Sequence, residues 1–187
     1  MLQERHPLMG QRISLAERSS LTIHDAEDSS RFNLRIAPEN LGAASKAFGC
    51  VLPATIGATA TSCGRLALCL GPDEWQLYAP VDESRAIETT FAALYTSCPH
   101  SLVDVGHREI GIAVEGADAV LALRSACAFD FDTMPSGTGT RTIFDKAQII
   151  LIRHHENRFR IEVWRSFADH VWGLLQAASR EIAHGIR

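Results

Sequence analysis

Few features of this sequence point directly to a function, and several common ones are missing. No apolar run approaches the roughly 20 residues that a membrane-spanning helix needs. The first residues include Glu4, Arg5 and His6 in place of the apolar core of a signal peptide. We therefore expect a cytoplasmic protein that is not inserted in a membrane. The net charge of -4 lacks the basic excess of a general nucleic-acid binder, so nucleic acid is not expected as a partner.

The five cysteines do not define a site. Their number is odd and no two of them form a C-x-x-C pair, which argues against a disulfide framework and against a zinc site. Hydrophobic residues make up 46% of the 187 residues, and charged residues 21%. A chain of this length buries roughly 70% of the surface of its unfolded state, so it needs neither disulfides nor metal to fold.

A catalytic triad could be assembled from Ser101, Asp104 and His107, but their spacing does not support one. The sequence has no G-x-S-x-G elbow. Proximity in sequence also does not place a nucleophile and a base within hydrogen-bonding distance. We interpret Asp104 and His107 as structural or interfacial residues.

Two further groups resemble ligand sites only in composition. Gly137 and Gly139 resemble a phosphate loop, yet they follow a predicted helix and lead into a predicted strand over residues 143–153, whereas phosphate loops open onto a helix. We expect a flexible connection over residues 133–140. His154, His155 and Glu156 are consecutive at a hairpin tip, where neighbouring side chains point apart. We therefore expect no catalytic, cofactor-binding or metal-binding residue on this chain.

The clearest structural pattern lies in the last forty residues of the sequence. Apolar residues there alternate with charged ones, which predicts a strand buried on one face. The preceding residues 148–153 are apolar and predict the partner strand of a hairpin. Ser166 is predicted to cap a helix that ends at about Ile182, because apolar residues recur at helical spacing after it. The alternating apolar residues are Phe159, Ile161 and Val163.

A weaker copy of this pattern occurs earlier in the chain. Residues 65–70 and 74–79 flank a Gly-Pro-Asp turn. Asp82 is the predicted N-cap of a helix that ends near Tyr95. Upstream of each hairpin a strand and a helix are predicted, and these lie at 32–36 and 38–48 and at 110–115 and 117–127. Each half is thus predicted to be β-α-β-β-α, and the fold class is α+β with mainly antiparallel sheet and packed helices.

The duplication also predicts the domain organisation. We expect a single duplicated α+β domain over residues 31–187, with half-repeats at about 31–97 and 101–183. Residues 1–30 are predicted to form an N-terminal arm, because the segment that includes Arg18 and Ser19 is rich in serine and acidic residues and carries no clear periodicity.

Four motifs lie in a fixed order between residues 31 and 183. They are Leu70-Gly71-Pro72-Asp73-Glu74-Trp75, Val103-Asp104-Val105-Gly106-His107-Arg108, Arg141-Thr142 with Lys146-Ala147-Gln148, and Arg165-Ser166-Phe167-Ala168 with Trp172. In this order and spacing they resemble the gamma subunit of heterotetrameric sarcosine oxidase. One departure is Gly106, which stands where the family is associated with serine.

The resemblance implies membership in an oxidoreductase complex of four different subunits. Such a complex demethylates sarcosine to glycine, produces hydrogen peroxide and passes the one-carbon unit to tetrahydrofolate. It implies that FAD, FMN, NAD, zinc and tetrahydrofolate belong to the partner subunits and that this chain holds none of them. It also implies a fold similar to the folate-binding domain of aminomethyltransferases and a structural role, with the alpha, beta and delta subunits as partners and alpha as the chief contact.

A docking role requires an exposed aromatic or apolar patch with charged edges. We predict that Asp104, His107, Arg108, Trp164 and Arg165 form such a patch and contact the alpha subunit. One alternative is a stand-alone tetrahydrofolate-binding or aminomethyl-transfer module, in which Asp104 would be the candidate to hold the pterin edge. Another is an adaptor subunit for a different amine oxidase.

Overall fold

The computed structural model describes residues 7–15 and 20–185. The strands are β1 (Arg12–Leu15), β2 (Leu21–Asp25), β3 (Ser30–Ile36), β4 (Thr59–Ser62), β5 (Arg65–Gly71), β6 (Glu74–Ala79), β7 (His100–Asp104), β8 (Glu109–Glu115), β9 (Thr138–Phe144), β10 (Ala147–His155) and β11 (Arg158–Trp164). The helices are α1 (Leu41–Phe48), α2 (Ser84–Leu94), α3 (Ala119–Arg124) and α4 (Ala168–Ala183).

These elements fall into two compact units. The central unit comprises Asp28–His107 and Gly137–Thr140. The terminal unit comprises the described residues up to Glu27, then Arg108–Ser136, and those from Arg141 onward. Each unit is built around one antiparallel sheet with its own apolar core.

The central unit holds the sheet β4-β5-β6-β3-β7. In the β3–β6 pair, Phe32 lies opposite Leu77 and Leu34 opposite Trp75. All four side chains are buried, as the alternating pattern of these strands requires. Helices α1 and α2 cover this face of the sheet and contribute Ala44, Phe48, Ile87 and Phe91 to the core.

The terminal unit holds the sheet β1-β2-β8-β11-β10-β9. The alternation that predicted β11 is confirmed, because Phe159, Ile161 and Val163 are fully buried. Their partners in β8 are Val114, Ile112 and Ile110. Helix α4 packs its apolar side into the same core, to which it contributes Val171, Trp172, Leu175 and Ile182.

The predicted α+β duplication is confirmed. One half runs β3-α1-β4-β5-β6-α2 and the other β8-α3-β9-β10-β11-α4, and the corresponding strands take the same order in their sheets. Each half has one more strand than predicted, namely β4 and β9. The strand before each half pairs with a strand of the other half. β2, which precedes the first half, pairs with β8, and β7, which precedes the second half, pairs with β3.

The segment expected to be an N-terminal arm contributes to a sheet in its described parts. β1 and β2 pair antiparallel, and β2 pairs in turn with β8. Leu8, Leu21 and Ile23 are buried in the core of the terminal unit. Arg18 and Ser19 lie outside the described residues. The serine-rich composition concealed two strands, because their alternating apolar positions are few.

The predicted helix ends differ in detail from those observed. Gly49 ends α1 with φ of 70°, as the C-cap prediction required. The predicted N-caps Asp82 and Ser166 are wrong, since each lies within a 3-10 turn, and neither α2 nor α4 has a side-chain hydrogen bond at its cap. The 3-10 turns satisfy the first backbone groups without a capping side chain.

The loop expected to be flexible is partly paired. Gly139 N donates to Gly57 O at 2.8 Å, and Thr59 N donates to Gly137 O at 3.1 Å. These bonds form an isolated antiparallel bridge between Ala58 and Thr138. The single strand predicted over residues 143–153 is two strands, because Asp145 takes a φ of 53° and turns the chain between β9 and β10.

Candidate partner interface

Trp164 and Arg108 meet at one end of the β8–β11 pair. The antiparallel register places Trp164, the last residue of β11, opposite Glu109, the first residue of β8. Arg165 N donates a 2.7 Å hydrogen bond to Arg108 O, which fixes the backbone on both sides of the pair. The Arg108 guanidinium carbon lies 5.2 Å from the centre of the Trp164 ring. We call Arg108, Trp164 and Arg165 the Trp164 patch.

Two of the three residues of the Trp164 patch, Trp164 and Arg108, are exposed, and Arg165 is half-buried. Trp164 is 40% exposed, and the Arg108 side chain 53%. The Arg108 guanidinium also lies 3.4 Å from the carboxylate of Glu109, whose side chain is only 6% exposed. A cation over an exposed aromatic ring contributes about 0.5–1 kcal/mol, which is enough to orient the two side chains. The patch therefore presents a held aromatic surface with charge at its edge.

Asp104 and His107 belong to the central unit, whereas the other three predicted contact residues belong to the terminal unit. Asp104 ends β7 opposite Phe32, and its carboxylate accepts a 2.7 Å hydrogen bond from Gly106 N. Both side chains are exposed. The Asp104 carboxylate thus shapes the turn that leads to β8.

The Ser101, Asp104 and His107 arrangement has no triad geometry along β7. Ser101 and Asp104 are three residues apart on one strand, so their side chains project from opposite faces of the sheet. Ser101 is exposed and lies opposite Arg35 of β3. A shared acyl-transfer site on these residues is not supported.

The cysteines are free thiols, and four of the five are buried. Burial raises the pKa of Cys50, Cys69 and Cys127, which keeps these thiols protonated and unreactive at neutral pH. Cys63 is exposed, in the turn between β4 and β5. Within residues 7–15 and 20–185, no three His, Cys, Asp or Glu side chains come together as metal ligands. No helix in this part of the chain has the length and apolarity to cross a membrane.

Sequence reasoning missed the charged residues that are buried on the sheets. Glu162 is 2% exposed and pairs with Arg160 on the same strand. Gly111 leaves room for this pair, since a Cβ at that position would lie 2.9 Å from Arg160 Nη2 and 3.1 Å from Glu162 Oε1. The available signal was a glycine in the middle of a strand, opposite a charged residue. The burial of Glu109, which lies opposite Trp164, was missed as well.

Comparisons with known proteins agree on the fold. No curated protein matches the chain. A heterotetrameric sarcosine oxidase from Corynebacterium sp. U-96 contains a chain that is 28% identical, with a TM-score of 0.80 over 89% of this chain and 88% of that one. The glycine cleavage system aminomethyltransferase T from Bartonella henselae is 13% identical, with a TM-score of 0.65 over 84% of this chain and 46% of that one, and shares the fold alone. The regulatory subunit of aspartate kinase from Thermus thermophilus, at 11% identity and a TM-score of 0.51, shows a more distant likeness over 87% of this chain and 99% of that one.

A family model described as the sarcosine oxidase gamma subunit family matches residues 35–181. The match includes the hairpin β5–β6, the turn that holds Arg108, and Trp164 with Arg165. It agrees with the motifs that the sequence carries in the same order. The chain belongs to the sarcosine oxidase gamma subunit family.

Proposed function

We propose that this chain is the non-catalytic accessory subunit of a heterotetrameric sarcosine oxidase. The assembled enzyme would convert sarcosine to glycine, release hydrogen peroxide and transfer the one-carbon unit to tetrahydrofolate. The observation that carries the proposal is the family match over residues 35–181, together with the TM-score of 0.80 to a chain of such an oxidase. The complex would work in the cytoplasm.

In an accessory role, this chain would hold no catalytic residues, and the partner subunits would carry out the reaction. FAD, FMN, NAD, zinc and tetrahydrofolate would be held by the alpha, beta and delta subunits. Asp104, the one carboxylate that could be named for a pterin, is exposed and is already bonded to Gly106 N in its own turn. A pterin site requires a carboxylate in a largely apolar pocket. Asp104 therefore does not fit the role of a pterin-binding carboxylate.

The Trp164 patch is the proposed contact with the alpha subunit. Tryptophan and arginine are the residues most enriched among those that carry binding energy in protein interfaces. The Trp164 ring is held by the Arg108 guanidinium at 5.2 Å, so little side-chain freedom is lost on docking. Arg108 and Arg165 favour an acidic rim on the partner. Asp104 and His107, which are exposed in the central unit, are proposed as further contacts of this subunit.

Co-purification tests the proposal directly. The tagged full-length chain is expressed in its source organism, and the eluate is examined for flavin absorbance and for peroxide release on addition of sarcosine. We expect a yellow, sarcosine-active complex of several subunits. A colourless single species that fails to bind the partner subunits when they are supplied would refute the accessory role. A rise in melting temperature of that species with tetrahydrofolate would then favour the folate-binding alternative.

A further inference from the structure

Strand β7 forms one edge of the central sheet. In the order β4-β5-β6-β3-β7 it pairs with β3, and among the described residues no strand lies along its other side. Proteins commonly protect such an edge with lysine, proline or a bulge, because its backbone groups can pair with a further strand. β7 contains neither lysine nor proline, and its register with β3 runs without a shift. The edge of β7 is therefore open to pairing.

The hydrogen bonds to β3 identify the backbone groups on the open side of β7. Just after β7, Val105 N donates to Arg31 O at 2.9 Å, so the backbone of Val105 faces β3. Hydrogen-bonded and non-hydrogen-bonded pairs alternate along an antiparallel pair, so every second residue of β7 faces β3 in the same way. The residues between them direct their N–H and C=O groups to the open side. These are His100, Leu102 and Asp104.

The side chains of these three residues lie on the face of the sheet that the helices cover. Leu102 lies opposite the buried Leu34 and packs against the core of the central unit. The His100 ring contacts the Tyr95 ring edge-on, with 5.6 Å between the ring centres, and its Nδ1 donates to Cys98 O at 2.7 Å. The open side of β7 thus presents a held imidazole, then an apolar side chain, then a carboxylate.

This order of side chains is self-complementary in an antiparallel pair. A two-fold axis at Leu102 places Leu102 opposite the partner's Leu102, and His100 opposite the partner's Asp104, in hydrogen-bonded pairs. A protonated imidazole and a carboxylate directly across two strands stabilise the pair, whereas like charges destabilise it. A register centred on Asp104 would place two carboxylates opposite each other. The residues of the edge therefore favour one register, and the strand that fits it is β7 itself.

We propose that the edge of β7 is a docking surface for a second copy of this chain. The two copies pair antiparallel about Leu102 and join their central sheets, five strands from each, into one continuous sheet. Each copy contributes the same surface, as two-fold symmetry requires. The contact is short, so the dimer dissociates on dilution. The pairing concerns the chain outside the complex and does not depend on the accessory function proposed above.

Sedimentation equilibrium of the purified full-length chain tests the dimer. We expect the mass to rise with concentration from that of one chain towards that of two. His100→Asp places a carboxylate opposite the partner's Asp104 and should weaken the dimer at least about tenfold. Combining it with Asp104→Lys restores opposite charges and should restore the dimer. A wild type that stays monomeric up to about 1 mM refutes the proposal, as does a dimer that His100→Asp leaves unchanged.

A disulfide cross-link tests the register without relying on charge. In a hydrogen-bonded pair the two Cα atoms lie about 5.5 Å apart, which a disulfide can span. Leu102→Cys, in a Cys63→Ser background that removes the exposed native thiol, should therefore form a covalent dimer on oxidation. Val81→Cys in the same background is the matched control, because Val81 is 55% exposed but lies outside β7, in the turn before α2. Equal cross-linking of the two variants would overturn the proposal.

The outcomes are separable from those of the accessory role. Melting curves first establish which variants are folded, and if His100→Asp does not fold, the cross-link decides. A monomeric wild type that recovers the partner subunits refutes the dimer and leaves the accessory role standing. A dimer that recovers no partner subunit supports the pairing and counts against the accessory role. If Leu102→Cys cross-links to another subunit and not to a second copy, the edge belongs to that subunit and the proposal fails.

Discussion

Replacement of Trp164 by alanine should weaken the proposed docking on the alpha subunit by a predictable amount. Trp164 is 40% exposed, so a partner could cover that fraction of its surface. Taking about 250 Å² for a tryptophan side chain, the area concerned is about 100 Å². At about 25 cal/mol per Å² this is about 2.5 kcal/mol, or about 70-fold in Kd. The figure is an upper value, because a partner need not cover the whole ring.

The same substitution also affects the isolated chain. It removes the part of the ring that is already covered and the cation-π contact with Arg108, which contributes about 0.5–1 kcal/mol. Trp172→Ala is the matched control, because Trp172 is only 6% exposed and lies in the core of the terminal unit. It should cost about 3–5 kcal/mol of unfolding free energy and leave the affinity of the folded protein unchanged.

The assay is a titration of the purified partner subunits with each folded variant, accompanied by urea unfolding of the isolated chain. We expect weaker binding for Trp164→Ala and unchanged binding for Trp172→Ala at a temperature where both are folded. Trp164→Ala with the affinity of the wild type would refute the placement of the alpha contact. Arg165→Ala with unchanged affinity would remove the remaining support for the patch.

Two further predictions concern the terminal unit. Gly116→Ala should lower the unfolding free energy by more than about 1 kcal/mol, because Gly116 has a φ of 114° and a Cβ would collide with Ser20 O. The control Gly173→Ala on α4 meets nothing within 4 Å and should be neutral or stabilising. Equal urea midpoints for the two variants would contradict this prediction. Burial, with a smaller effect of the Arg160 charge, lowers the pKa of His154 from 6.5 to about 4, so the folded state resists a proton that the unfolded state accepts, and stability should fall as pH falls from 6.5 to 4. Thermal unfolding of His154→Gln should show a shallower decline over this window, and parallel curves would disprove the assignment.

Local patterns predicted the elements whose signal lies within a few residues. Phe159, Ile161 and Val163 alternate with charged residues and form β11 as expected. Gly49 ended α1 because a positive φ favours glycine. By contrast, β9 contains two residues that weaken a strand pattern, Gly139 and Arg141, and lies at the edge of its sheet. Edge strands need fewer buried side chains, so the sequence carries less evidence of them.

Local sequence patterns could not predict which distant strands pair with each other. The sequence indicated two similar halves, but it contained no sign that β2 would join β8 or that β7 would join β3. The candidate site was affected in the same way. Trp164 and Arg165 were grouped with Arg108 on motif evidence, and the register of β8 with β11 is what brings them together. Asp104 belongs to the same motif as Arg108, and the sequence held no sign that its carboxylate would accept a bond from Gly106 N in its own turn.

The turn between β7 and β8 connects the family motif to the proposed docking role. β7 pairs with β3, and just after β7 Val105 N donates to Arg31 O at 2.9 Å, while β8 begins at Glu109, where it pairs with β11. Only a few residues connect β7 to β8, and the Asp104 carboxylate stabilises this turn by accepting a hydrogen bond from Gly106 N. Arg108 directly precedes Glu109, so its position over the Trp164 ring follows from the pairing of β8 with β11. The Val103-to-Arg108 motif therefore forms the turn between β7 and β8. Its last residue, Arg108, supplies the cation of the Trp164 patch.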